Sequence, residues 1–206
     1  MAKDKSKSGM SRRSFLKGFG GSVVGTAAIG TAHPVFSAET EHARIVGPGQ
    51  TEIAITVNGK KHTLEIDPRM TLLDVLRNEL SYTGTKQVCN RGECGSCTVI
   101  LNGRTVLACH MLALDANGAD IETIEGLAAG EKLHPVQEKF VEHDAFQCGY
   151  CTPGFILSSV ALLRRNSSPT PEEIRAGVSG NVCRCGTYPN IFAAVEAAAQ
   201  SMKKGG

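Results

Sequence analysis

The chain has 206 residues, 41% of them apolar and none tryptophan, with a formal net charge of +2. That length allows one medium domain or two small ones. The charge is uneven: residues 1–17 carry six basic groups against Asp4 alone, while residues 39–206 hold 16 basic and 19 acidic side chains. The mildly acidic body excludes a basic face that would track nucleic acid.

The opening segment, "SRRSFLKGFGGSVVGTAAIG", pairs Arg12 with Arg13 ahead of a weakly apolar, glycine-rich run. It resembles a twin-arginine signal, which exports proteins already folded. We assign it to residues 1–38, cleaved before Ala38 or Glu39, and residues 39–50 to a linker. The run is too glycine-rich for a stable membrane span. The plainer reading is a basic tail with a short amphipathic anchor. The export route bears on the cysteines downstream. Disulfides form outside the cytosol and gain nothing when the chain folds before export, whereas a cofactor inserted in the cytosol requires it.

From Thr51 the pattern turns to strands. "TEIAITVNGKKHTLEID" is two alternating runs joined by Asn58-Gly59, a strong hairpin signal. "TLLDVLRNEL" reads as a helix, with Thr71 and Asp74 as a capping box and Leu72, Leu73, Leu76 and Leu80 on one face. A second hairpin, "CTVILNGRTVLACH", turns at Asn102-Gly103. Two hairpins and a helix predict a β-grasp-like sheet over residues 51–128.

Beyond Gly126 and Gly130 the strand pattern ends and four helices are predicted over residues 129–206, enough for a small bundle. They are "HPVQEKFVEHDAF", "TPGFILSSVALLRRN", "TPEEIRAGVSG" and "NIFAAVEAAAQSMKK". Thr152 reads as an N-cap with Pro153 at the first helical position, and Thr170, Pro171 and Glu173 read as a capping box. Lys203 and Lys204 suit a helix C-terminus. The fold class is therefore α+β.

All eight cysteines lie beyond position 88, in two groups of four. Cys89, Cys94 and Cys97 read C-x4-C-x2-C, and Cys109 follows after the second hairpin. This is the plant-type ferredoxin spacing for a [2Fe–2S] cluster. Gly92 and Gly95 let the loop wrap closely and turn its N–H groups toward sulfur. Structural zinc prefers separate short pairs, and cysteines this close make poor disulfide partners. Cys148, Cys151, Cys183 and Cys185 read C-x2-C…C-x-C beside two predicted helix starts, whose N–H groups and dipoles suit an anionic cluster. Structural zinc fits this second set better than the first. The six histidines show no ligand spacing, Arg184 is unassigned, and no nucleophile has a positioned base.

"CNRGECGSCTV", "FQCGYCTPG" and "GNVCRCGTY" resemble the iron–sulfur subunit of the molybdenum hydroxylase (xanthine oxidase) family. The resemblance spans about residues 51–204 and, with the leader, is nearest to the small subunit of periplasmic aldehyde oxidoreductases. It implies a plant-type ferredoxin domain followed by a helical [2Fe–2S] domain. It implies a non-catalytic electron-transfer subunit, exported to the periplasm. A large partner would carry the molybdopterin cofactor that oxidises an aldehyde to a carboxylic acid. An FAD-bearing subunit or a cytochrome would take the electrons. Carried over, Cys148, Cys151, Cys183 and Cys185 hold the cluster nearer molybdenum, with Gln147 and Cys185 against the pterin; Cys89, Cys94, Cys97 and Cys109 hold the cluster nearer the exit. Apart from the family, Gln147 reads equally as a helix-end hydrogen-bond partner. Phe155, Tyr188 and Phe192 are expected in the core. The alternatives keep the role but change the substrate to an N-heterocycle of isoquinoline or nicotinate type, a purine or carbon monoxide. A different class is a disulfide-stapled periplasmic binding module, for which eight cysteines allow 105 pairings.

Overall fold

A computed structural model describes residues 47–204, with Arg13 alone before them. The predicted signal and most of the linker, with His33 and His42, lie outside the described residues. Among those described, no helix is long and apolar enough to cross a membrane.

The N-terminal part is a five-stranded mixed sheet. Strands β1 (Thr51–Val57) and β2 (Lys60–Ile66) pair antiparallel. Asn58 (φ 51°) and Gly59 (φ 78°) take the left-handed angles that a tight hairpin turn requires. Strands β3 (Thr98–Leu101) and β4 (Arg104–Leu107) repeat the device at Asn102 and Gly103. Between the hairpins lies β5 (Asp120–Glu122), parallel to β1 and antiparallel to β3, giving the order β2-β1-β5-β3-β4.

Strand β5 is absent from the sequence pattern. Its three residues offer too few alternating positions to register, and the two turn asparagines clamp it at its ends. Asn102 Oδ1 accepts from the Asp120 amide at 2.9 Å. Asn58 Oδ1 accepts from the Thr123 amide at 2.9 Å, and Asn58 Nδ2 donates to Thr123 Oγ1 at 2.9 Å.

The segment expected as one helix is a short α-turn, α1 (Leu72–Asp74), widening into a π-turn over Val75–Glu79. The Thr71–Asp74 capping box is present. Leu80 reaches back to the Val75 carbonyl and Tyr82 to that of Leu76. This widening leaves Leu72, Leu73, Val75 and Leu76 buried and Leu80 only partly so.

Four helices follow: α2 (Pro135–Glu142), α3 (Thr152–Arg165), α4 (Pro171–Gly177) and α5 (Tyr188–Lys204). The Thr170–Glu173 box caps α4 as expected. His134 caps α2 through Nδ1, accepting from Val136. The expectation that Thr152 caps α3 is corrected. Thr152 is the first helical residue, the capping position falls on Cys151 without a side-chain bond, and the Thr152 hydroxyl is buried without a partner. Cys151 already has helical angles (φ −84°, ψ −12°), so the turn at Gly149 starts the helix one residue early.

Alternation along β3 joins the two cores. Val99 enters the core under the sheet, with Ile53, Val57, Leu72 and Ile121, while Ile100 enters the helical core, with Phe140, Phe155, Leu157 and Ile191. Helix α3 packs on β3 and β4. Its Arg164 makes a two-pronged ion pair with Glu122 of β5, at 2.6 and 2.8 Å.

Candidate metal centres

The first cysteine loop runs from Cys89 to Cys97, immediately before β3. Cys109 follows β4, so the antiparallel register that pairs Thr98 with Leu107 returns it to Cys97. The Ala108 amide closes the join on the Cys97 carbonyl at 3.2 Å. The thiols are neighbours in two pairs, the Cys94 thiol acting on Cys89 and the Cys109 thiol on Cys97, with a weaker influence of Cys94 on Cys97. Cys97 and Cys109 are buried; Cys89 and Cys94 are half-buried.

Backbone N–H groups point at these sulfurs, Gly92 donating to Cys109 Sγ at 3.3 Å and Glu93 to Cys89 Sγ at 3.4 Å. The N–H groups of Arg91 first, and also of Glu93, bring the Cys89 thiol down to about 6 against the opposing effect of burial. Burial, reinforced by the Cys109 thiol, pushes Cys97 up to about 12. The exposed His110 lays its ring against Gly92.

The second set comes from two loops, one before α3 and one before α5. Cys148 meets Cys185, and Cys151 meets Cys183. The outer pair, Cys148 and Cys185, is exposed; Cys151 is half-buried and Cys183 buried. The Tyr150 N–H, then the Cys185 thiol, lower Cys148, and burial lifts Cys151 to about 12. At Cys183 burial acts upward but is outweighed by the Thr187 hydroxyl and amide, leaving the thiol at about 7. Thr187 Oγ1 lies 3.3 Å from that sulfur, and Tyr188 Oη accepts from the Cys183 amide at 2.9 Å.

All eight thiols are free of disulfides. Among the described residues, no three His, Cys, Asp or Glu side chains converge as around one metal ion. A two-iron cluster asks for something else: two adjacent pairs of thiolates, one pair on each iron. Both cysteine sets have that form. A desolvated thiol near 12 becomes a thiolate only beside a strong positive charge, which iron supplies. Both sets therefore fit a [2Fe–2S] cluster.

Gln147 is exposed in the loop immediately before Cys148. Phe155 is core, as expected, with Tyr188 edge-on at 6.0 Å and half-buried, and Phe192 half-buried beside it. The Tyr188 hydroxyl bond to Cys183 and the role of the buried Asn181 are not visible in the sequence pattern. The only signal for either is its place within five residues of Cys183.

Comparison with known proteins gives two domain matches. Residues 55–125 match a 2Fe-2S iron–sulfur cluster binding domain and residues 123–196 a [2Fe-2S] binding domain. The chain is 46% identical over 194 residues to the aldehyde oxidoreductase iron–sulfur-binding subunit PaoA of Escherichia coli K12, covering 86% of this chain and 85% of that one. It is also 46% identical to the nicotine 6-hydroxylase small subunit of Paenarthrobacter nicotinovorans, covering 71% of this chain and 88% of that one. Among solved structures, quinoline 2-oxidoreductase from Pseudomonas putida 86 contains a chain with TM-score 0.72 and 42% identity, covering 76% of this chain and 98% of that chain.

Proposed function

The chain belongs to the family of iron–sulfur subunits of molybdenum hydroxylases, and on that premise we propose that it is the electron-transfer subunit of an exported aldehyde-oxidising complex. The pairing of its eight thiols, two to an iron, carries the reading. Cys89 with Cys94, and Cys97 with Cys109, would hold one cluster; Cys148 with Cys185, and Cys151 with Cys183, the other. Each bound cluster supplies a reversible one-electron carrier. The protein's part is to exclude water from Cys97 and Cys183 and to aim N–H groups at the sulfurs, which stabilises negative charge.

This chain is the non-catalytic part of the enzyme. The substrate is oxidised in a large subunit bearing the molybdopterin cofactor, and the electrons leave to an FAD subunit or a cytochrome. The second centre faces molybdenum, with Gln147 and Cys185 toward the pterin. Its outer cysteines are exposed together with Phe146, Tyr150 and Val182, an apolar surround of the kind that partners cover. The first centre faces the exit acceptor.

We read the architecture as a plant-type, β-grasp ferredoxin domain over 51–128 and a four-helix-bundle domain over 129–206. Residues 1–38 are the twin-arginine signal and 39–50 the linker, placing the protein in the periplasm. The match to PaoA supports this placement: 86% of the chain exceeds residues 51–206, so the similarity reaches into the first 50 residues.

The test is the anaerobic visible spectrum of the complex, purified from the periplasm through a tag on this chain, before and after an aromatic aldehyde. Bleaching of the iron–sulfur absorption is expected. A brown complex bleached by dithionite and nicotinate but not by aldehyde moves the substrate to an N-heterocycle, the class named for the nicotine and quinoline relatives. A colourless complex ends the proposal.

A further inference from the structure

Asn181 lies two residues before Cys183 and is 5% exposed. Its side chain bonds to the end of the first cysteine loop and to the helix that follows Cys151. Nδ2 donates to the Gly95 carbonyl, inside the first cysteine loop, at 2.9 Å and approaches Thr98 Oγ1 at 3.4 Å. Oδ1 accepts from Ser158 Oγ of α3, the helix that begins after Cys151, at 2.7 Å. One buried amide thus joins both cysteine loops and the helix between them.

The surroundings are built to bring backbone against backbone. A Cβ on Gly154 would lie 2.3 Å from the Gly95 oxygen and 2.9 Å from Asn181 Nδ2; one on Gly95 would lie 2.3 Å from the Gly180 oxygen. Any side chain at either glycine would drive the loops apart. The next residue, Val182, donates its amide to the Cys94 carbonyl at 2.9 Å. Cys94 and Cys183, one from each set, are thus linked through a single hydrogen bond, and Asn181 stands next to it.

We propose that Asn181 is the positioning residue that fixes the first cysteine loop against the second, and so sets how strongly the two centres are coupled. This rests on the reading that both sets hold clusters. The step it governs is the passage of one electron, with no proton, from the reduced second centre, which is oxidised, to the oxidised first centre, which is reduced. A leucine of similar volume would fill the space but hold none of the three partners. An amide can hold all three only in one orientation, which is the physical reason for asparagine here.

The test uses the intact complex carrying Asn181→Ala or, more mildly, Ser158→Ala, which removes the partner that orients the amide. Iron and acid-labile sulfide per chain report whether the clusters are present. Electron paramagnetic resonance of the fully reduced complex reports their magnetic interaction, and rapid-mixing reduction reports the electron's arrival at the first centre. The expected result for Asn181→Ala is two clusters retained, with the splitting between their signals narrowed and arrival at the first centre slowed. Should Asn181→Ala lose a cluster, Ser158→Ala decides by the same two readouts. A variant that keeps both clusters with unchanged splitting and unchanged rate overturns the assignment. Iron-free wild-type protein would instead overturn the proposed function on which it stands.

Discussion

The amide of Val182 donates to the carbonyl of Cys94 at 2.9 Å. Eighty-eight positions apart in sequence, one is a cysteine of the first set and the other adjoins Cys183 of the second, and the bond ties the two cysteine loops to each other. The contact also limits what can be changed in either loop.

The two sets should still fail separately. Cys97→Ser removes a buried thiol of the first set without touching the second. We expect about half the iron, with only the second centre's resonance signal remaining. Cys151→Ser should show the reverse. Loss of all iron from either variant would mean that the sets do not bind independently.

Gly95 and Gly59 both have positive φ, 69° and 78°, but differ in surroundings. A Cβ at Gly59 meets nothing within 4 Å, whereas one at Gly95 meets a backbone oxygen. Gly59→Ala should cost about 1–2 kcal/mol, the ordinary left-handed penalty, and keep both clusters. Gly95→Ala adds a clash no rotamer relieves and should lower the melting temperature further while reducing the iron retained after purification. Equal effects in thermal unfolding would show that the close approach does not matter.

His134 makes stability depend on pH. Burial, and next the Arg164 charge, lower its pKa, and its neutral Nδ1 caps α2. A depressed folded-state pKa means that the unfolded chain binds the proton more readily. The contribution is therefore fully present above about 6.5, the unfolded value, and lost as pH falls through the folded value. Melting curves between pH 8 and 5 should show this loss, and His134→Asn, a cap that does not titrate, should flatten that part of the profile. An unchanged profile would remove His134 from the account.

Arg12→Lys with Arg13→Lys should leave cluster-loaded protein in the cytosol. Fractionation that finds the double variant exported normally would remove the twin-arginine signal.

The cysteine spacing, the two Asn-Gly turns and the Thr-Pro helix starts are legible in the sequence because each is a local rule: a ligand spacing, a backbone angle, a cap. Even there one local rule fails. Thr152-Pro153 reads as cap and first turn, yet the positive φ of Gly149 brings Cys151 into helical angles and moves the start back. The π-turn at Val75–Glu79 is hidden for a related reason. Its hydrophobic pattern suits a helix, and only the way Leu80 and Tyr82 reach back to Val75 and Leu76 widens it.

By itself the sequence determined that this is an α+β protein with two sets of four cysteines, because composition, alternation and short-range spacing carry that information. Only the tertiary structure decided which thiols pair. A hairpin register returns Cys109 to Cys97, and helix packing sets Cys148 by Cys185. It also decided that three residues make the middle strand, since β5 is held by asparagines at positions 58 and 102 rather than by its own propensity. Asn181 belongs to the same class. Its partners are 23 and 86 residues away, and no local pattern records a hydrogen bond that exists only once the chain has closed on itself.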